Sequence, residues 1–139
     1  MNEFQRLKLL RIALILVGVI FIGGIYALMI AWPSGWKWHT GHSHYPLMIV
    51  GIYATLGVFL IIASRNPLEH LSLIWFTVWS SIVHGGIMTF QSFESAENHG
   101  HLLGDVPALF IAAALLAFLT PRGHAAAAAP RAAAASFVL

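Results

Sequence analysis

The sequence predicts an all-α integral membrane protein, a bundle of four transmembrane helices with both termini cytoplasmic. Four runs of uncharged, mostly apolar residues, at 12–30, 45–63, 71–90 and 106–120, fill most of the 139 positions. A bilayer core about 30 Å thick needs roughly 20 helical residues to cross it, and all but the last run reach or approach that length. Charged residues make up 9% of the chain and hydrophobic ones 59%, against about 25% charge in an ordinary soluble domain. The basic residues supply the orientation. Arg6, Lys8, Arg11, Arg65, Arg122 and Arg131 share one side of such a bundle and Lys37 stands on the other, the bias expected of a cytoplasmic N-terminus.

The first helix is expected over residues 9–31. It has a basic start, but its apolar stretch is longer than a signal-peptide core and Trp32-Pro33 follows where small cleavage-site residues would be needed, so it reads as a retained helix. Gly18, Gly23, Gly24 and Ala27 lie along it, and the Gly23 to Ala27 step is of the small-x-x-x-small kind that lets another helix approach closely. Trp32, Trp36, Trp38 and Tyr45 then gather at the outer boundary, as an aromatic belt would. The second helix is expected over 45–64 and the third over 69–92. Along the third, Thr77, Ser81, His84, Met88, Gln91 and Ser95 recur at steps of three and four, which places them on one helical face. A polar stripe is costly against lipid, so it should face the bundle interior, as interhelical glue or as a site.

The fourth helix is expected over 101–120. The apolar run from 106 is too short to span by itself, so the helix should start near His101 and draw Asp105 beneath the outer interface, at a depth near that of His84. Asp105 is expected to cap this helix, with Pro107 tolerated in the first turn. Ala108, Ala112, Ala113 and Ala117 provide a small-residue packing face. Residues 1–123 thus form one transmembrane domain, and 124–139 form an alanine-rich, low-complexity tail to which no function is assigned.

Composition excludes several activities. The connections at 31–44, 64–70 and 91–105 are too short for a soluble catalytic domain, so any chemistry must lie inside the bundle or at its mouth. A net charge of +2 in so apolar a chain is no sign of a nucleic-acid partner, and the absence of cysteine excludes disulfides and thiolate chemistry. The densest chemical signal is histidine: His39, His42, His44, His99 and His101 all fall in the two outer connections, beside Glu94, Glu97 and Asp105. Imidazole suits zinc and copper, and the expected metal set is His42, His44, His99, His101 and Asp105. No complete metal-binding signature accompanies it. His84 is the histidine well inside the hydrocarbon and the candidate cofactor ligand. A lone imidazole argues against a bis-histidine haem and leaves a five-coordinate haem or chlorophyll-type pigment as a lesser expectation.

The segments WPSGW (32–36), MIVGIYATLGVFL (48–60), RNPLEHLSLIWFTVWSSIVHGGIM (65–88), GHLLGDVPAL (100–109) and LTPR (119–122) carry a resemblance. Over residues 9–122 the chain resembles a bacterial family of small four-helix membrane proteins, a domain of unknown function. The resemblance implies the fold and a multi-pass place in the bacterial inner (cytoplasmic) membrane; it transfers no activity. The leading expectation is a non-enzymatic accessory subunit of a larger, energy-transducing membrane complex, with lipid and other membrane subunits as partners. The alternatives are a metal- or cofactor-binding protein using the outer histidines, and a small enzyme or transporter moving protons through His84 and Asp105. A transporter would usually show broken helices or inverted repeats, and neither is clear here.

Overall fold

A computed structural model describes residues 1–38 and 44–121. Among them there is no strand, and four helical stretches are long and apolar enough to cross a membrane: Glu3–Ala31, Tyr45–Ala63, Pro67–Glu94 and Ala96–Leu119. We label the helices α1 (Glu3–Ala31), α2 (Pro33–Trp36), α3 (Tyr45–Ala63), α4 (Leu71–Glu94) and α5 (Asp105–Leu119). α1 starts earlier than its apolar run because Asn2 and Gln5 close a capping box, the Gln5 amide donating to Asn2 Oδ1 at 2.8 Å. Its middle, Ile20–Gly24, is a π-turn. The chain breaks at Trp32, in front of Pro33, which starts α2.

Helix order follows from small residues. α1 crosses α3 where Gly18 meets Gly57: a Cβ on Gly18 would stand 2.8 Å from the Gly57 carbonyl, and one on Gly57 2.5 Å from that of Gly18. That is the close backbone approach glycine permits in lipid. The expected Gly23 to Ala27 step serves no such crossing, since nothing lies within 4 Å of a Cβ on Gly23 and Ala27 is exposed. α1 also packs on α5, and α5 packs on α4, whereas α3 and α4 meet only thinly. Ala113 is buried in the core, with Ala112 and Ala117 against it.

The core fills one half of the molecule. Leu10, Leu14 and Val17 of α1 meet Leu60, Ile74, Val78, Leu116 and Leu119 at the end that carries the N-terminus. There Arg6 locks the first helix to the last: its Nε donates to the Leu119 carbonyl at 3.1 Å and its Nη2 to those of Phe118 and Thr120 at 2.6 and 3.0 Å. Those are carbonyls that the end of α5 leaves without helical partners. Toward the other end, which we call the tryptophan end, buried packing thins to Met88, Val106 and Leu109. α4 turns Phe76, Trp79, Val83, Ile87 and Phe90 outward, all more than half exposed, as a lipid-facing stripe would be.

Candidate functional site

The tryptophan end is closed by contact between the two long connections. A 3₁₀ helix, Ala96–Leu102, lies against α2, and Gly100 and Gly104 pack so tightly on the backbone of Ser34 and Gly35 that neither has room for a Cβ. This contact brings Trp38 to α5. The Trp38 Nε1–H donates to Asp105 Oδ2 at 2.9 Å, and His101 Nδ1 lies 3.1 and 3.0 Å from the two carboxylate oxygens. The Trp38 and His101 rings stack with centroids 4.0 Å apart at 25°. His101 and Asp105 are buried, at 2% and 8% exposure. A carboxylate only accepts hydrogen bonds, so a neutral His101 holds its proton on Nδ1 and keeps its lone pair on Nε2.

Asp105 therefore anchors a loop rather than capping its helix. Gly104 occupies the N-cap position and Asp105 is the first helical residue, with Pro107 in the first turn. Residues 96–102 are a 3₁₀ segment, so the α-helix begins at Asp105, one turn beyond the start near His101 expected from sequence.

Beneath this lid lies a cavity of about 700 Å³ between α1, α3, α4 and α5. Its walls are almost wholly apolar, with Val17, Phe21, Met29, Val50, Leu109 and Ala112 among them. The polar side chains that reach it are Tyr45, Tyr53, His84, Gln91 and Asp105, together with the indoles of Trp36 and Trp38. Three rings bridge the helices at this depth: Phe21 of α1 stands edge-on to Tyr53 of α3 at 4.8 Å, and Tyr53 stands edge-on to His84 of α4 at 5.7 Å. Among the described residues nothing hydrogen-bonds the His84 ring.

The polar stripe on α4 divides. Thr77, Ser81 and Met88 are buried, His84 is half-buried, and Gln91 and Ser95 are exposed. Thr77 returns its hydroxyl to the Leu73 carbonyl at 2.9 Å, satisfying itself along its own helix. His84 has no such backbone outlet.

Of the expected metal set, the structure brings together His101 and Asp105. His44 is exposed at the N-cap of α3, and His99 is exposed with its ring 6.4 Å from that of Phe93. His42, like His39, lies outside the described residues. Among those described, no group of three His, Asp or Glu side chains is placed to hold an ion. Sequence reasoning missed Trp38 and Tyr53. Trp38 is placed in the aromatic belt by the sequence and Tyr53 lies unremarked within the apolar run 45–63, and no spacing signal links either to a partner in another helix.

Residues 5–135 match the model of a family of unknown function (DUF6632). The match runs past Arg122 into the alanine-rich segment, which the resemblance read from the motifs had left out. No curated protein and no solved structure matches the chain.

Proposed function

The chain belongs to that family of unknown function, and we propose that it is a non-enzymatic membrane protein that binds a small, largely apolar molecule or cofactor in the cavity under the tryptophan end, with His84 among its polar contacts. The observation that carries this reading is the cavity itself. Its volume of about 700 Å³ lies within the range of about 300–1,000 Å³ usual for ligand sites, and its apolar walls with a few convergent polar groups have the usual make-up of such sites. An ionisable ring within a membrane-spanning helix also points to a site, and beyond its edge-on contact with Tyr53 the His84 ring has no hydrogen-bond partner among the described residues. The basic residues support an orientation with both termini cytoplasmic, and the bacterial inner membrane is the location proposed. A place as accessory subunit of a larger, energy-transducing complex is compatible with this role, in which the bundle would hold its ligand for a neighbour.

The test is His84→Leu. The substitution should leave a folded bundle, because an interhelical hydrogen bond averages about 0.6 kcal/mol in membranes and this ring makes none within the described chain. It should reduce whatever small molecule co-purifies in mild detergent, read by mass spectrometry of an organic extract. Equal recovery from the variant and the parent would remove His84 from the site.

One observation favours a second reading, a zinc or copper ion at the tryptophan end. His101 leans on the Asp105 carboxylate through Nδ1, and a carboxylate in that position orients a ligating imidazole and leaves Nε2 for a metal. His42, His44 and His99 would have to supply the remaining ligands. Calorimetry with zinc at pH 7.5 decides it: binding weaker than about 10 μM, a free energy of about −7 kcal/mol, would dispose of the ion.

A further inference from the structure

We propose that the cavity takes an amphipathic molecule directly from the lipid phase, its apolar tail lying between α1 and α5 and its head, a hydrogen-bond acceptor of the carbonyl class, held by the indole N–H of Trp36. This rests on the ligand-binding reading above and specifies the ligand. Trp36 lines the cavity, and its Nε1 is buried without a hydrogen-bond partner among the described residues. Trp38, its neighbour in the same connection, spends its own N–H on Asp105. An indole N–H only donates, so the group that Trp36 lacks is an acceptor. Away from water an unpaired N–H is costly, and a ligand oxygen that reached it would remove that cost.

The other end of the cavity fixes the tail. Leu16 and Ile20 of α1 and Ile111 and Leu115 of α5 line it and are 56%, 45%, 66% and 39% exposed. Side chains that are at once wall and outer surface mark an opening. They belong to membrane-spanning stretches, so the opening faces hydrocarbon, and a lipid-soluble molecule reaches the site without passing through the headgroups. Polar groups at one end and aliphatic ones at the other match a molecule with a single polar head. At about 30 Å³ for each non-hydrogen atom, the share of one water in the liquid, the cavity of about 700 Å³ has room for about 20 such atoms.

Decylbenzoquinone and decylbenzene share ring and tail and differ in the two carbonyls, so they serve as the probes. The full chain in lipid nanodiscs is titrated with each, at equal mole fraction in the bilayer, and bound probe is counted by native mass spectrometry. One decylbenzoquinone should bind per chain. Trp36→Phe should weaken it about 2- to 10-fold, the value of one hydrogen bond, while leaving decylbenzene unchanged and the unfolding temperature of the empty protein no lower, because the substitution deletes an orphan donor. Ala112→Trp, which fills the cavity from α5, should exclude both probes. Equal binding of the two probes, or undiminished quinone binding by Trp36→Phe, overturns the acceptor-head assignment and leaves the cavity reading standing. Failure of the parent protein to bind either probe overturns the ligand-binding reading itself.

Discussion

Asp105 is the residue on which the tryptophan end depends. Its carboxylate accepts from Trp38 Nε1 and pairs with His101 Nδ1, and Trp38 and Asp105 line the cavity at this end. Removing the acceptor strands two donors, each costing about 1–3 kcal/mol when buried. Asp105→Ala should therefore lower the unfolding temperature in detergent more than Asp105→Asn, which keeps one acceptor oxygen, and Trp38→Phe should cost less than either, about 1 kcal/mol. Equal effects of all three would mean that the carboxylate binds neither ring. Half of this arrangement was legible beforehand. His101 and Asp105 are four apart and both carry chemistry, but their contact needs the connection at 96–105 to wind as it does. Trp38 comes from another connection, and its partnership arises from the meeting of α2 with Gly100 and Gly104, which no local pattern encodes.

At the scale of the helices, the apolar runs were the strongest signal, and the four long stretches lie where those runs do. Which face each helix presents was less legible. A small-x-x-x-small step states that a close crossing is possible, and on α1 the step singled out was Gly23 to Ala27. The crossing that forms uses Gly18, because α3 offers Gly57 at the matching depth. The two glycines give an element-level prediction. Gly57→Val must push α1 and α3 apart and should destabilise the bundle by at least the 1–3 kcal/mol of an overpacked contact, whereas Gly23→Val, with open space around it, should change stability by less than about 0.5 kcal/mol. Chemical unfolding followed by circular dichroism reads both. A matching loss in the two variants would place the crossing elsewhere.

The whole molecule is built in two unequal halves. At the end bearing the N-terminus, leucine, isoleucine and valine fill the space between the helices, and Arg6 ties α1 to the carbonyls that end α5. At the tryptophan end the helices separate around a cavity roofed by aromatic rings. Arg6→Gln should loosen the closed half, with a loss of about 1–2 kcal/mol for charge-assisted hydrogen bonds at a partly exposed site. Arg6→Lys should recover little of it, since an ammonium lacks the guanidinium fork that reaches several carbonyls at once. The cavity could not be foreseen from sequence. Its walls are the same apolar residue types as the core, and its existence depends on how far α1 and α5 diverge. The measurement that bears most directly on the account is an experimental density map of the protein purified from its own membrane in mild detergent. Density for a small molecule is expected beside His84 and Tyr53, extending between Leu16 and Ile111, with the Trp38–Asp105–His101 contacts intact above it. A map in which α1 and α5 close upon each other along their whole length, with protein side chains filling that space, would contradict that expectation.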